Sequence, residues 1–199
     1  IETNDLLGRE LVALDLTSIK KMIQGKRVLV TGAGGSIGSQ LCAHILEHSP
    51  EALIMLDRGE NYLYDLQMSL SGEATETQTH YYFGSVTSTK KMESIFSKHR
   101  PHLIFHAAAH KHVPLMEENI DEAIINNIQG TQVVAEMAEK FEAEKFVLVS
   151  TDKVVQPTSI MGMTKKVAET LIQLMAQKNK TQFMIVRFGN VLGSNGSIV

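Results

Sequence analysis

Residues 27–38 read RVLVTGAGGSIG and predict a short strand that runs directly into a glycine-rich loop and then into a helix. Gly32, Gly35 and Gly38 are spaced three apart, as in loops that bind dinucleotides. The first glycine allows a tight turn, the second lets the backbone approach a pyrophosphate, and the third lets the helix lie close to the strand. We therefore predict a dinucleotide site here, with a purely structural glycine turn as the alternative.

The residues after the glycine loop indicate how the dinucleotide is held. Ser36 and Ile37 begin the helix, where free N–H groups and a partial positive charge favour phosphate binding. A second strand, 52–56, ends at Asp57, nineteen residues after the last glycine of the loop. A carboxylate at that spacing hydrogen-bonds the ribose of NAD and repels the 2′-phosphate of NADP, so we predict NAD. Arg58 keeps NADP open as the less favoured cofactor, because its guanidinium could hold that phosphate instead of lying in solvent.

Strand and helix patterns alternate along the rest of the chain. Helical patterns lie at 17–23, 37–46, 61–70, 90–99, 120–141 and 160–178, and further strands at 80–83, 103–105, 145–149 and 183–187. In the helix 61–70 we expect Tyr62, Leu63, Leu66 and Leu70 to face inward, and we expect His99 to lie on a helix surface. The alternation predicts an α/β fold, a Rossmann-like doubly wound parallel sheet with helices on both faces. We expect residues 1–25 to be a lead-in segment, with Thr17 capping its helix, and residues 26–199 to be the NAD-binding Rossmann domain.

The composition bounds the classes of function. The 199 residues are 43% hydrophobic and 21% charged, as in an ordinary soluble globular protein. The net charge of -3 gives no reason to expect a nucleic-acid partner. The single Cys42 excludes an internal disulfide and fits a reducing compartment such as the cytoplasm. The chain starts at Ile1 and stops soon after a GSNG turn, so we expect it to be a soluble fragment of a longer protein.

Small or polar residues follow each predicted strand at its carboxyl end, where ligands bind in parallel sheets. These positions are 32–38, 57, 84–85, 106–112, 150–153 and 188–194. We expect them to form one site. His106, His110 and His112 raise the alternative of a metal centre, but no acid or cysteine lies beside them, so we predict a cofactor-lining or surface loop without metal. For Asn127, early in the long helix, both a bridge to the site and a polar surface position stay open.

Residues 150–153 read STDK and follow the strand 145–149 directly. A proline break separates them from the next helix, on which Met161 and Lys165 are four apart and therefore share one face. A threonine, an aspartate and a lysine at a strand end, opposite a second lysine on a helix, form a layout for proton transfer beside a bound cofactor.

Five stretches together carry a resemblance to a known family. They are VTGAGGSIG at 30–38, HAAA at 106–109, KHVPLME at 111–117, STDK at 150–153 and RFGNVLG at 187–193. The chain resembles, over essentially its whole length, the bacterial CapD/WbpM/PglF-like polysaccharide biosynthesis proteins. These are nucleotide-sugar 4,6-dehydratases of the extended short-chain dehydrogenase/reductase superfamily.

The resemblance implies an enzyme, a lyase that converts UDP-N-acetylglucosamine to its 4-keto-6-deoxy derivative. It implies tightly held NAD that is reduced and reoxidised within one turnover, and a homo-oligomer. It also implies that the parent protein is anchored in the bacterial inner membrane with this domain facing the cytoplasm. In such proteins a further C-terminal portion completes the sugar-nucleotide pocket, and the present chain stops before it.

The resemblance also assigns residues to roles. Thr151 would lie at the C4 hydroxyl, Asp152 would be the acid at C6, Lys153 the base at C5, and Lys165 would hydrogen-bond the nicotinamide ribose. Further cofactor contacts are implied for Ser85, Val86, Ala107, Ala108 and Ala109, and substrate contacts for Lys111, His112 and Asn190.

Three positions depart from the wider superfamily pattern. Met161 stands where a tyrosine base is usual, although methionine resembles the norm in this subfamily. The absence of that tyrosine leaves Thr151, with Asp152 or a water, to take the proton of the C4 hydroxyl. Ser85 stands where an aspartate often meets the adenine amino group, and His110 replaces a common tyrosine.

Two alternative functions stay open at this point. One is a nucleotide-sugar epimerase or a dehydratase that inverts C5, against which the Asp152–Lys153 pair argues in the case of simple epimerases. The other is a non-catalytic dinucleotide-binding module, which Met161 supports and the retention of Asp152, Lys153 and Lys165 opposes.

Overall fold

The computed structural model describes residues 15–71, 76–177 and 180–191, and six strands and eight α-helices lie within these ranges. The strands are β1 (Arg27–Thr31), β2 (Ala52–Asp57), β3 (Gln78–Phe83), β4 (Leu103–His106), β5 (Lys145–Thr151) and β6 (Gln182–Phe188). The helices are α1 (Leu16–Ile23), α2 (Ser36–Leu46), α3 (Glu60–Leu70), α4 (Thr89–His99), α5 (Val113–Glu118), α6 (Ile120–Ile124), α7 (Gly130–Lys140) and α8 (Ile160–Ala176). A π-helical turn (Ile125–Gln129) joins α6 to α7, and a 3-10 turn (Asp152–Val154) follows β5.

The six strands form one parallel sheet in the order β3-β2-β1-β4-β5-β6. This confirms the predicted Rossmann-like doubly wound sheet. The strand order reverses between β1 and β4, where Thr31 is paired with Leu56 on one side and His106 on the other. Ligands of open α/β sheets bind at this reversal, outside the carboxyl ends of the strands. The fold therefore places the end of β1 at the centre of any such site.

A hydrophobic cluster covers each face of the sheet. The first packs strand residues against α4, α7 and α8 and includes Leu29, Ile54, Ile104, Phe146, Phe96, Val134 and Ile172. The second packs them against α1, α2 and α3 and includes Val28, Val30, Leu53, Met55, Ile23, Ile45 and Leu66. Neighbouring strand residues alternate between the clusters because successive side chains point to opposite faces. None of the helices within the three described ranges is long and apolar enough to cross a membrane.

Helix α1 lies in the predicted lead-in segment, of which residues 1–14 fall outside the described part. Its N-cap is Asp15, whose carboxylate accepts hydrogen bonds from the amide and hydroxyl of Ser18. The prediction that Thr17 caps this helix is wrong, because Thr17 already lies in the first helical turn. Ile23 is buried in the second core cluster, so α1 packs on the sheet.

The helix predicted for 120–141 consists of α6, the π-helical turn and α7. In the turn, the Gly130 amide reaches back to the Ile125 carbonyl, five residues earlier. A π turn places an extra residue in the helix and shifts which side chains face inward. Asn126 and Asn127 are both buried here, so the surface interpretation of Asn127 is wrong.

Strand β5 continues two residues beyond its predicted end. Ser150 and Thr151 are paired with Arg187 and Phe188 of β6, which fixes their backbone within the sheet. The predicted surface position of His99 is also wrong. Its ring is buried between β3 and α4, where the Tyr82 hydroxyl lies 2.6 Å from Nε2.

Candidate active site

A groove crosses the carboxyl ends of the strands as two adjoining cavities of about 350 Å³ and 570 Å³. The smaller lies toward β2 and β3, and the larger toward β5 and β6. Both are lined by the glycine loop, by Tyr62 and by the segment after β4. The shared residues are Gly32, Gly35, Tyr62, Ala107, Ala109, His110 and His112. The predicted strand-end segments therefore do meet in one place.

The glycine loop is fixed by close backbone contacts. Gly32 has a φ of +69°, and a Cβ there would lie 2.6 Å from the amide nitrogen of Ala108. A Cβ on Gly38 would overlap the carbonyl oxygen of Gly32. The first turn of α2 starts after Gly35 without a side-chain cap, and Gly35, Ser36 and Ile37 line the larger cavity. This backbone cradle fits a pyrophosphate.

Asp57 is buried at the end of β2 and holds two loops. One carboxylate oxygen accepts the amide N–H of Gly34 at 2.9 Å, and the other accepts that of Gly59 at 2.8 Å. A carboxylate offers about four acceptor positions, so each oxygen can still accept a ribose hydroxyl. The geometry is compatible with the predicted ribose contact and adds a second role, which is to shape the glycine loop.

Arg58 is engaged by a partner that the sequence did not indicate. Its Nη1 donates a 2.7 Å hydrogen bond to Nε2 of His110, and Glu122 lies 4.0 Å from the same guanidinium nitrogen. Burial first, and then the Arg58 charge, lower the pKa of His110, so the ring is neutral and can accept. Arg58 and His110 follow β2 and β4, which flank β1, so their hydrogen bond crosses the groove.

The end of the groove toward β3 is lined by Gly84 and Val86. The Ser85 hydroxyl lies 2.8 Å from that of Thr87 and accepts the Thr87 amide N–H. Ser85 does not line either cavity, so a cofactor contact from its side chain stays a prediction.

His106 is fully buried and belongs to neither of the predicted environments, cofactor lining or surface loop. Thr131 donates to the Asn127 carbonyl, so its hydroxyl oxygen accepts from Nε2 of His106 at 3.0 Å. The other ring nitrogen, Nδ1, accordingly accepts from Thr31 at 2.7 Å. Burial, with a contribution from Lys165, lowers the pKa of His106 to about 3. No cluster of three or more metal-binding side chains occurs within 15–71, 76–177 and 180–191.

Asn127 links two sides of the groove. Its Oδ1 accepts the His110 amide at 2.8 Å, while Nδ2 donates to the His110 carbonyl and to the Thr164 hydroxyl, each at 3.1 Å. Of the two interpretations, the bridge is therefore the one that the structure supports. It joins the segment after β4 to α8, which carries Met161 and Lys165.

The predicted catalytic residues lie at the end of β5 and on α8. Thr151, Lys153, Met161 and Lys165 line the larger cavity together with the glycine loop. Lys111 and His112, both exposed, line the same cavity from the opposite side. Asp152 is exposed beside them but does not line the cavity, and Asn190 does.

Asp152, Lys153 and their neighbours form a small hydrogen-bonded group. Thr151 donates from Oγ1 to the Asp152 carboxylate at 2.9 Å, and Lys153 donates from Nζ to the same oxygen at 3.2 Å. Lys153 also donates to Oδ1 of Asn190 at 3.1 Å. The Thr151 hydroxyl first, and then Lys153, lower the pKa of Asp152. In this arrangement Asp152 is ionised.

Lys165 is 4% exposed and donates a 2.8 Å hydrogen bond from Nζ to the carbonyl oxygen of Val149. Burial lowers the pKa of its ammonium to about 8, against an opposing effect of Glu169. Met161 is buried beside it, packed with Met116 and Ala123, and its thioether has no proton to donate and accepts only weakly.

Two features of the site were missed from the sequence. Tyr62, which the helix pattern places in the core, is exposed and lies against Gly34 and Gly59 at the junction of the cavities. Glu169 is buried and paired with Arg187 beneath the end of β5. Its position one helical turn after Lys165 was the available signal.

The sheet order, the glycine cradle and the acid at the end of β2 define a Rossmann-type dinucleotide-binding domain. The carboxyl ends of its strands also carry Thr151, Lys153 and Lys165, which line the larger cavity. The chain belongs to the family described as "Polysaccharide biosynthesis protein", which matches residues 28–199.

Three curated relatives illustrate the family. EpsC of Bacillus subtilis, named a probable polysaccharide biosynthesis protein, is 47% identical over 100% of this chain and 33% of its own length. The capsular polysaccharide biosynthesis protein CapD of Staphylococcus aureus is 46% identical over 100% and 34%. An inverting UDP-N-acetylglucosamine 4,6-dehydratase of Campylobacter jejuni is 31% identical over 89% and 53%. The chain thus spans about a third to a half of these relatives.

Solved structures share the fold. Pen from Bacillus thuringiensis superposes with a TM-score of 0.81 at 32% identity, over 88% of this chain and 53% of that one. A UDP-glucose 4-epimerase of Thermotoga maritima, solved with UDP-glucose, gives 0.73 at 25% over 84% and 56%. WbmG of Bordetella bronchiseptica, solved with NAD, gives 0.72 at 21% over 88% and 57%, which shows the fold alone.

Proposed function

We propose that this chain is the NAD-binding catalytic part of a nucleotide-sugar 4,6-dehydratase that acts on UDP-N-acetylglucosamine in bacterial polysaccharide biosynthesis. One observation carries the proposal: Thr151, Lys153 and Lys165 line the same cavity as the glycine cradle. Groups that transfer protons and a backbone that fits a dinucleotide thus face one volume. Support from outside the chain comes from the 31% identical dehydratase relative.

The proposed cofactor is NAD, which would supply a hydride acceptor for C4 of the sugar and a hydride donor for C6. Gly32, Gly35, Ser36, Ile37 and Gly38 would hold its pyrophosphate. Asp57 would hold the adenosine ribose, and Arg58 is already bonded to His110, which favours NAD over NADP. Ala107, Ala108 and Ala109 leave room along the middle of the groove.

The chemistry requires a set of proton transfers that these side chains can carry out. The C4 hydroxyl loses its proton as its carbon is oxidised, and the resulting ketone acidifies the C5 proton. Lys153 would remove that proton, while the C6 hydroxyl leaves as water after protonation by Asp152. Lys165 would hold the nicotinamide ribose and keep a positive charge close to the oxidised centre.

The state of Asp152 sets a condition on this mechanism. Its pKa is lowered by Thr151 and Lys153, yet an acid must carry a proton when the C6 hydroxyl leaves. A sugar that hydrogen-bonds Lys153 would draw Lys153 away from Asp152 and leave the Thr151 hydrogen bond in place. Substrate binding would then raise the pKa of Asp152 toward the value that an acid requires.

Met161 leaves the C4 proton without the usual tyrosine base. The Thr151 hydroxyl lines the cavity and donates to the Asp152 carboxylate at 2.9 Å. A proton taken from the C4 hydroxyl through Thr151 could therefore pass on to the Asp152 carboxylate. In this arrangement the oxidation at C4 protonates Asp152, which then serves as the acid in the elimination.

A second candidate is a nucleotide-sugar 4-epimerase, or a dehydratase that inverts C5. The structural likeness to a UDP-glucose 4-epimerase favours it, whereas the buried, proton-less Met161 opposes a simple epimerase. A non-catalytic dinucleotide-binding module is a third candidate, and the joint exposure of Lys153 and Thr151 to the cavity opposes it.

The test uses the longer protein that carries this chain, incubated with UDP-N-acetylglucosamine in deuterated water. We expect a product that has lost the mass of one water and carries deuterium at C5. An epimer of unchanged mass would favour the second candidate instead. Unchanged substrate in the presence of bound NAD would support the binding module and contradict the dehydratase.

We further propose that the longer protein is anchored in the bacterial inner membrane with this domain in the cytoplasm, as the sequence resemblance implies.

We also propose a homo-oligomer. Helix α8 presents an exposed apolar stripe of Met163, Val167 and Leu174, which a second copy would cover. Sedimentation analysis of a Val167→Asp variant, which should be a monomer, tests this. An unchanged association state would contradict it.

A further inference from the structure

Glu169 is a buried acid that the dehydratase chemistry leaves without a role. Its side chain is 1% exposed, and Arg187 binds it through two parallel hydrogen bonds. Nε of Arg187 donates to one carboxylate oxygen at 2.9 Å and Nη2 to the other at 2.6 Å. The Arg187 side chain itself is 42% exposed. The Glu169 carboxylate is thus buried, whereas its partner Arg187 reaches the solvent.

Burial alone raises the pKa of Glu169, yet Arg187 and the Ser150 hydroxyl more than compensate, so the net shift is downward. The carboxylate is therefore ionised. An ionised buried group carries a large desolvation penalty unless opposite charges lie close to it. Arg187 accounts for one such charge, and the second lies on the same helix.

Lys165 precedes Glu169 by one turn of α8, so both side chains lie on the same face. Lys165 donates to the carbonyl of Val149. The next residue, Ser150, is paired in the sheet with Arg187, which holds the Glu169 carboxylate. Lys165 and the Glu169–Arg187 pair thus meet β5 at consecutive residues, directly before Thr151.

We propose that Glu169 is a positioning residue for Lys165. Its carboxylate, held by Arg187, keeps the buried ammonium charged and directed toward the groove. The importance of a charged Lys165 for turnover rests on the proposed function, whereas the effect of Glu169 on Lys165 does not.

The sign of the effect follows from the two charges. Burial lowers the pKa of Lys165 to about 8, and Glu169 raises it relative to burial alone. Removing the carboxylate must lower that pKa further, so Lys165 loses its proton at a lower pH. Glu169→Gln keeps the shape and removes the charge. Glu169→Asp keeps the charge one methylene further from its partners.

The first experiment titrates Lys165 directly in the 199-residue chain, by NMR of lysine labelled with ¹³C at Cε. Lys165→Met identifies the signal by its absence. We expect the proton affinity of Lys165 to fall about tenfold in Glu169→Gln, which is about one pKa unit, and less in Glu169→Asp. Glu139→Gln, which removes an exposed carboxylate of α7, should leave the titration unchanged.

An unchanged Lys165 titration in folded Glu169→Gln would overturn the proposal. If that variant does not fold, Glu169→Asp decides in its place. A lower pKa of Lys165 in Glu169→Asp supports the proposal, and an unchanged pKa overturns it.

The second experiment separates this inference from the proposed function. In the longer protein, the alkaline fall of turnover should move to lower pH in Glu169→Gln, with NAD affinity at pH 6 unchanged. A shifted Lys165 titration with an unshifted turnover profile would support the role of Glu169 and contradict the role given to Lys165 in catalysis.

Discussion

Asn127 and Thr164, thirty-seven residues apart, are joined by a buried hydrogen bond of 3.1 Å from Nδ2 to Oγ1. The same amide group bonds both backbone groups of His110. One side chain therefore fixes the distance between the segment after β4 and the helix that carries Lys165. The groove depends on this link because it lies between those two elements.

Replacing Asn127 with alanine should destabilise the protein substantially. The change leaves the partly buried amide and carbonyl of His110 without their side-chain partner, and an unsatisfied buried polar group costs about 1–3 kcal/mol. We expect urea unfolding to show a loss of that order. Gln132→Ala, which removes an exposed amide bonded to Glu136, is the matched control and should change stability by less than about 0.5 kcal/mol. Equal losses in both variants would contradict a special role for Asn127.

Gly38→Ala should abolish dinucleotide binding. The added Cβ would overlap the Gly32 carbonyl, so α2 must move away from β1 and the cradle opens. Gly35→Ala is the milder comparison, since its Cβ would lie 3.3 Å from the same carbonyl oxygen. Calorimetric titration with NAD, alongside circular dichroism, measures both. Wild-type affinity in Gly38→Ala would show that the loop does not hold the cofactor as proposed.

Asp57 and Arg58 should respond differently to substitution. In Asp57→Asn one of the two amide contacts faces an NH₂ group, so we expect NAD affinity to fall about tenfold or more, because hydrogen bonds to charged groups contribute about 1.5–3 kcal/mol. Arg58→Ala should bind NAD nearly as well as the wild type, since the guanidinium is bonded to His110. Competition between NAD and NADP provides the measurement. A large loss of NAD affinity in Arg58→Ala would reverse the two assignments.

Asp152→Asn, Lys153→Ala and Thr151→Val should each reduce turnover of the longer protein by about 100-fold or more, the range for a lost acid or base. NAD affinity should be retained, because none of these side chains shapes the glycine cradle. Lys180→Ala, which removes an exposed charge at the amino end of β6, far along the strand from Phe188, serves as the control. Thr151→Val is the most informative of the three. If it turns over normally, the C4 proton does not pass through this hydroxyl.

Acid should destabilise the fold through His106. The buried ring has a pKa of about 3, whereas an unfolded histidine titrates near its ordinary value of 6.5. Between these values the unfolded state binds the additional proton, so stability is fully present above pH 6.5 and is lost as pH falls toward 3. The slope from one such group is at most about 1.4 kcal/mol per pH unit. Urea unfolding between pH 7.5 and pH 5 should show a flatter dependence in His106→Gln; an identical slope would exclude His106 as the cause.

Several features of this protein were predictable from the sequence because they depend on neighbours along the chain. The glycine spacing predicts the loop after β1, and the regular alternation of patterns predicts the parallel sheet. Asp57 follows its strand directly, so its place at the rim of the groove needs no tertiary information. The same short-range rules gave the errors at Thr17 and Tyr62. Near a helix start, a shift of one or two residues in the predicted position changes a cap into a helical residue, or a buried side chain into an exposed one.

The sequence by itself determined the class of fold, the dinucleotide loop and the residue types that meet at the strand ends. Only the tertiary structure decided which partner each of them has. Asn127 turns inward because a π turn shifts the helix face, His106 is neutral because the core surrounds it, and Glu169 is ionised because Arg187 reaches it from β6. Each outcome depends on burial and on charges distant in sequence, and both arise only when the strands and helices have packed.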